Sequence, residues 1–546
     1  MALPGFRLRR RIGTLGDRII RWARMPPTVH PPRRRFVIVQ IDGLSHARLQ
    51  RALAQRRMPA TARLLRRGRL RLHRMAVGLP TSTPAFQAGL MYGGPVDIPA
   101  FEFVDKRTGE YLWFPLPWAS ARVEATHAEG RRGIMRGGRA YGCVFGGGAA
   151  DTVLTLAHLL RPSPAWGHFG IRAFIFPFLL LGWVTLKLIV VTAARALAWM
   201  GRALRSFMLG QPVAFPRRLL TRILFSEWLR ELFTLSLTAD VYAGIPALYV
   251  NFVDYDVNAH VLGPDHPVAL GVLRFVDASI RDIWRVLRRV PELSYDLFII
   301  ADHGQILSIP FESVAGPLPV AEAVLAAFRP VPTSSEPRRA PVRELINPIA
   351  RPLWPLSPVW QRHLAYLEPR TRQWNAVWAG NLCVVPAGPN INVYVTDTKE
   401  HVPAEEIEAR FPGALERLSR QPGIGFLLTR DARGSVCYYR GTVLRVPPPP
   451  GPTGCPLFDR PDRRLVVQGL EDLLAMPSAG DIIVYGHYTE RGCVNYLGER
   501  GSHAGPSEEE LYGFMMIRPD VKFDVEAVTR PQDLYPLFVG YQDGDA

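Results

Sequence analysis

Three short apolar runs, each ending in a carboxylate, constrain this chain most. Phe36–Ile41 runs into Asp42-Gly43, Ala247–Val253 into Asp254-Tyr255-Asp256, and Leu297–Ala301 into Asp302-His303-Gly304. Short runs rich in β-branched and aromatic residues read as buried strands. Helical stretches at 47–67 and 267–289 lie between them. This alternation predicts an α/β fold with a doubly wound, mostly parallel sheet. Ligands in such sheets bind beyond the carboxyl ends of the strands. A lone strand-end Asp is ordinary, since many cap the next helix. The repetition is what points to a site.

Leu70–Val77 reads as a further strand and leads into Pro80-Thr81-Ser82-Thr83-Pro84, a hydroxyl-rich turn that opens a helix. A helix start offers unpaired N–H groups and a positive dipole end. A hydroxyl there serves as a cap or as a nucleophile beside an anion. Further on, Val384–Val395, a helix over 403–419 and Ile424–Tyr439 suggest a βαβ-like accessory unit. Pro447–Pro452 is a rigid loop, and Ile482–Tyr485 is another strand. Gly501-Ser502-His503-Ala504-Gly505 adds a late histidine among small residues.

The segment Ala173–Ala194 carries a single charge, Lys187. Its length matches the roughly 20 apolar residues of a bilayer span. A single crossing would separate Asp42 from Asp256, which must meet if they share a site. Residues 155–240 therefore read as a helical insert that lies on or dips into one leaflet, or packs as a buried helix. Residues 1–35 hold ten arginines and one acid, with Leu15, Ile19, Ile20 and Trp22 interleaved. They read as a basic amphipathic helix or a disordered tail, and contain no secretory signal.

The expected divisions are 1–32 for the basic segment, 33–154 for the first part of the catalytic core, and 155–240 for the insert. The second part of the core is 241–310, an accessory insert 311–470, and the last part of the core 471–546. A net charge of +18 points to an anionic partner, a phosphate substrate or an anionic membrane surface. No nucleic-acid module is recognisable. Cys143, Cys383, Cys437, Cys455 and Cys493 make no CxxC pair, which argues against a disulfide framework and for a reducing compartment. The expected location is cytoplasmic, peripheral or monotopic at the inner face of the cell membrane.

The strand-end groups are Asp42, a hydroxyl within 81–83, Asp256, His260, Asp302, His303 and His503. Three carboxylates, three imidazoles and a hydroxyl suit two divalent cations, zinc first and manganese as the alternative. Two such ions can stabilise the attacking and leaving oxygens of a phosphoryl transfer. A Thr hydroxyl is a poor nucleophile until its pKa is lowered.

These motifs resemble the alkaline phosphatase superfamily, and within it the nucleotide pyrophosphatase/type I phosphodiesterase branch, in its poorly described bacterial members. The resemblance runs through Phe36–Tyr92, Pro246–Gln305 and Gly501–Gly505. It carries a P-T-x-T loop, a D-x-x-x-H motif followed by Gly263-Pro264, a D-H-G motif and a late G-x-H-A motif. It implies Thr83 as nucleophile, one metal on Asp256, His260 and His503, and the other on Asp42, Thr83, Asp302 and His303. Members of the eukaryotic type carry a phosphate-binding Asn where Phe86 falls here, so Gln87 or a backbone N–H is expected to replace it.

The implied activity is hydrolysis of phosphodiesters or phosphomonoesters through a covalent phospho-threonine, on membrane-associated substrates. Alternatives are a nucleotide pyrophosphatase/phosphodiesterase on soluble substrates, a phosphomutase acting through Ser82, and a silent membrane-surface scaffold of the same fold. A sulfatase is disfavoured, because no Cys/Ser-x-Pro-x-Arg motif is present.

Overall fold

The computed structural model describes residues 34–159, 217–328, 338–339 and 375–544, with isolated helical positions between 186 and 208. A seven-stranded sheet forms the centre. Its order is Arg71–Ala76, Tyr512–Ile517, Tyr295–Ile300, Arg35–Ile41, Ala247–Phe252, Arg139–Tyr141, Asp151–Val153. Arg35–Ile41 is parallel to both neighbours, with Gln40 opposite Asn251 on one side and Ile300 on the other. Only Tyr512–Ile517 runs against the rest. The expected mixed α/β architecture with a largely parallel sheet is therefore present.

Alternation along the first strand sorts the layers, because successive side chains point to opposite faces. Phe36 and Ile38 join one buried cluster with residues of helices Thr83–Tyr92 and Tyr535–Asp543. Val37, Val39 and Ile41 join another with helices His46–Ala54 and Pro267–Leu287. The single helix expected over 47–67 is two, His46–Ala54 and Pro59–Arg66. The chain turns at Arg56, whose φ is 54°, and Pro59 opens the second helix. Proline is tolerated in a first turn, where no N–H is needed.

Most of the apolar stretch expected to meet a membrane lies outside the described residues. No described helix is long and apolar enough to cross a membrane. Helix Arg217–Tyr242 belongs to the core at its C-terminal end, where Phe233, Leu237 and Val241 pack beneath the sheet.

The accessory sheet has eight antiparallel strands. Asn390–Val395 and Ile424–Asp431 both pair antiparallel with Ile482–Gly486 between them, so they run the same way. Two helices, Ala404–Arg410 and Ala414–Ser419, connect them where one was expected. The unit is thus a βαβ with a later strand inserted. The boundary expected at 471 is corrected by this pairing, since Ile482–Gly486 is internal to the accessory sheet. A four-stranded sheet of Tyr488–Thr489, Gly492–Asn495, Ile306–Pro310 and Gly501–Ser502 lies next along the chain from both larger sheets.

One buried ion pair fastens the accessory sheet to the hairpin Glu102–Asp105/Glu110–Trp113. Lys106 Nζ sits 2.9 Å from both carboxylate oxygens of Asp481, which also accept the N–H groups of Val395 and Val402. Asp481 is fully buried. Removing one partner of a buried pair strands the other charge. Lys106→Met is expected to destabilise the protein by about 3 kcal/mol in denaturant unfolding. An unchanged unfolding midpoint would mean the pair does not hold the two units.

Candidate metal centre

The parallel register delivers Asp42 and Asp302 to the same end of the sheet. Asp42 follows the central strand, and Asp302 follows the strand beside it. Gly43 accepts a positive φ of 71°, and a Cβ there would lie 2.6 Å from Asp256 Oδ1. The residue after Asp42 must therefore be glycine for the second carboxylate to approach. Asp256 and His260 sit one turn apart on helix Asp254–Leu262, so both face the same way. His503 follows the short strand Gly501–Ser502, which pairs with Ile306–Pro310 just past Asp302-His303. That pairing draws a residue from the end of the chain to the strand-end cluster.

The seven residues meet as two adjoining groups. Asp256, His260 and His503 form one, and Asp42, Asp302 and His303 the other; within each group the candidate ligand atoms lie within 4.8 Å of one another. The groups touch through the His303 and His503 rings, which stack with centroids 3.7 Å apart. Asp256 Oδ1 is 4.0 Å from His503 Nε2, and His260 Nε2 is 3.4 Å from Asp256 Oδ2. Thr83 adjoins the second group. Its hydroxyl donates to Asp42 Oδ1 at 3.3 Å and lies 3.1 Å from His303 Nε2. It is the first residue of helix Thr83–Tyr92, whose N-cap is Ser82.

The electrostatics of this cluster suit a cation. Burial, then repulsion from Asp302 and Asp256, holds the Asp42 carboxyl well above its ordinary range. Burial and the Asp256 charge push Asp302 up to about 7. Burial would also raise Asp256, but His260 and the other imidazoles outweigh it and hold it low. Burial, then His503, keeps His303 neutral. Asp302 Oδ2 is buried and has no hydrogen-bond partner among the described residues, the nearest charged group being His303 Nε2 at 3.3 Å. Unpaired buried carboxylates are costly unless they meet a cation. The mixed oxygen and imidazole donors fit divalent zinc or manganese.

Further residues hold these candidate ligands. Asn251 Nδ2 donates to Asp42 Oδ2 at 2.7 Å, and Gly43 N to Asp302 Oδ1 at 3.3 Å. Glu499 Oε2 lies 3.2 Å from His260 Nδ1, which orients that ring and leaves Nε2 toward Asp256. His503 Nδ1 is 2.7 Å from the Thr81 carbonyl, and Ala504 N donates to the Thr81 hydroxyl. The sequence motifs do not reveal Asn251 or Glu499. The signal for Asn251 is a polar residue inside an apolar strand; Glu499 carries none beyond closeness to His503.

Of the two replacement phosphate donors expected for the Asn missing at Phe86, Gln87 or a backbone N–H, the Gln87 side chain is already engaged. Phe86 is buried in the core. Gln87 donates to Gln40 and accepts from Val144 N, so its amide is committed inside the fold.

No protein-family model matches the chain, and no curated protein matches it in sequence. Among solved structures, phosphonoacetate hydrolase from Sinorhizobium meliloti 1021 aligns over 94% of this chain and 96% of its own, at 16% identity. Its complexes with phosphonoformate and phosphonoacetate give TM-scores of 0.42 and 0.43. Murine ectonucleotide pyrophosphatase/phosphodiesterase 5, an inactive form in complex with AMP, aligns over 93% and 95% at 12% identity, with a TM-score of 0.43.

The raised groups set the pH response of the metal-free protein. A folded-state pKa above the unfolded one gives stability that is complete below the unfolded value and is lost as pH rises through the folded one. Asp302, Asp42 and His260 all have this sign. His303 and His503 are lowered and act in the opposite sense only below the ordinary imidazole range. In a chelator the thermal midpoint should therefore fall as pH rises from about 6.5, the unfolded imidazole value, into the alkaline range as Asp302, Asp42 and His260 give up their protons, and saturating Zn²⁺ or Mn²⁺ should remove the fall. A chelated protein whose midpoint stays flat or rises over that window would contradict the assigned cluster.

Proposed function

We propose that this chain is a two-metal hydrolase of phosphate esters, of the alkaline phosphatase superfamily, with Thr83 as its nucleophile. The observation that carries the reading is the Thr83 hydroxyl, adjoining one buried acid–imidazole group that is stacked on a second. Asp42, Asp302, His303 and Thr83 would hold one divalent ion, and Asp256, His260 and His503 the other. When bound, the two ions supply Lewis-acid stabilisation of phosphoryl charge and favour the Thr83 alkoxide.

The chain's own groups account for the rest. The hydrogen bond from Thr83 to Asp42 Oδ1 aims the proton at a carboxylate and leaves an oxygen lone pair free for phosphorus. Thr83 Oγ1 attacks in line, the ester oxygen departs on the opposite side, and a phospho-threonine forms. Water then displaces Thr83 and releases phosphate or a monoester. The first-turn N–H groups and dipole of the helix favour the anionic phosphoryl group. Ser82, buried, adjacent and with no hydrogen-bond partner among the described residues, supplies the donor that Phe86 cannot. The superfamily branch, the choice between diester and monoester, and the choice of zinc or manganese all belong to this reading.

Thr83→Ala should lower turnover of bis(p-nitrophenyl) phosphate at least ~10³-fold, as expected when a nucleophile is removed. Metal content measured on the same sample should stay near that of the parent. Thr83→Ser should restore part of the rate. Full turnover by the alanine variant would remove Thr83 from the chemistry. A chain that takes up no divalent metal would favour the silent scaffold.

An anionic membrane surface extends the reading to lipid-linked phosphates, with a soluble nucleotide as the other substrate class. The arginines of 1–35 and the exposed Leu186, Ile189 and Val190 support it. Deleting 168–212 should release the protein from anionic liposomes while keeping activity on the small chromogenic ester. Continued sedimentation with liposomes would shift the anchor to the N-terminal segment.

A further inference from the structure

The helix Asp254–Leu262 carries two candidate ligands on one face and a buried acid on the other. At 3.6 residues per turn, Asp254 stands about 160° around the axis from Asp256, while His260 stands within about 40° of it. Asp254 is paired from behind by Arg230 of helix Arg217–Tyr242, and each of these two side chains is only 2% exposed. The Arg230 guanidinium also lies 5.4 Å from the ring centroid of Phe275, on helix Pro267–Leu287. One side chain thus joins three helices that pack on one another. Asn258 Nδ2 donates to the Asp254 carbonyl at 2.7 Å and closes the first turn of the ligand helix around that acid. On the metal side the helix is gripped through its backbone. Gln305 donates to the Asp256 carbonyl at 3.2 Å, and Arg500 N to the His260 carbonyl at 2.8 Å. Arg230 supplies a directional contact on the other side.

We infer that Arg230 is a positioning residue for the ion assigned to Asp256, His260 and His503, an inference that rests on the two-metal reading above. It acts through Asp254, from the face opposite the ligands, and fixes the rotation of the helix about its own axis. A ligand atom stands about 5–6 Å from a helix axis, so a turn of about 10° carries it about 1 Å. Metal–ligand distances tolerate only about 0.2 Å. Apolar packing is non-directional and resists such a turn weakly. A charge pair taken out of water resists it strongly, because parting the two strands both charges. The same pair ties the ligand helix to the chain that arrives from residues 155–216, since helix Arg217–Tyr242 follows directly on that segment.

The test measures the affinity of the full chain for Zn²⁺ and Mn²⁺ by competition with a chromogenic chelator, beside the thermal midpoint of the metal-free protein. The parent should bind two ions. Arg230→Met should weaken one of them about 10–100-fold, the range for losing a group that orients a ligand, and leave the other unchanged. The weakened ion should be the one that His260→Ala also weakens. Arg230→Lys keeps the charge without the planar fork and should recover part of the loss. The double variant Arg230→Met/Asp254→Asn removes both charges. It should restore the thermal midpoint of the metal-free protein while the affinity stays low. Where Arg230→Met does not fold, the lysine and double variants carry the comparison. Three results overturn the inference: affinities that match the parent's, equal weakening of both ions, or an affinity that recovers with the midpoint in the double variant. None of the three touches the two-metal reading, whereas a parent that takes up no divalent ion removes both.

Discussion

Repulsion among three converging carboxylates, two of them fully buried, is the constraint on which the rest of the site depends. Asp42, Asp256 and Asp302 converge beyond the ends of the sheet, and no Lys or Arg hydrogen-bonds to or ion-pairs with them among the described residues. Solvation by water is lost there, and only the imidazoles offset the charge. Two of the acids respond by favouring their protonated forms, and two of the imidazoles by remaining neutral. Such an arrangement is one that divalent cations, as proposed, would neutralise.

The surrounding fold is organised to impose that convergence. A parallel register fixes Asp42 and Asp302 at one level, and a glycine lets Asp256 approach within contact distance of the backbone between them. The small sheet carries the histidine that is most remote in sequence. It pairs Gly501–Ser502 with the strand that follows Asp302-His303, and Thr81 then holds both His503 and Ala504. The loop of the proposed nucleophile and the last of the proposed ligands are therefore one hydrogen-bonded unit. Strain or relaxation in either is felt by the other.

The parts legible in the sequence are those that local chemistry specifies. Apolar runs with strand-end acids marked the sheet, and the spacing of Asp256 and His260 marked one helical face. The parts missed depend on partners distant in sequence. Gln87 looks available for a ligand until Gln40 and Val144 consume its amide. Asn251 looks like a strand residue until Asp42 appears opposite its neighbour's end. The helix over 46–66 breaks because of a backbone reversal at Arg56 that amphipathic spacing does not encode. Ile482–Gly486 reads correctly as a strand, but nothing local says which sheet it enters.

By itself, the order of residues determined the mixed α/β class and the set of candidate donors, because buried strands and strand-end acids and imidazoles each have a recognisable local chemistry. Only the tertiary structure decided which candidate donors share a group and that Glu499 and Asn251 hold them. Those contacts join residues tens to hundreds of positions apart. Their geometry is set by strand order and register, which are collective outcomes of packing the whole chain.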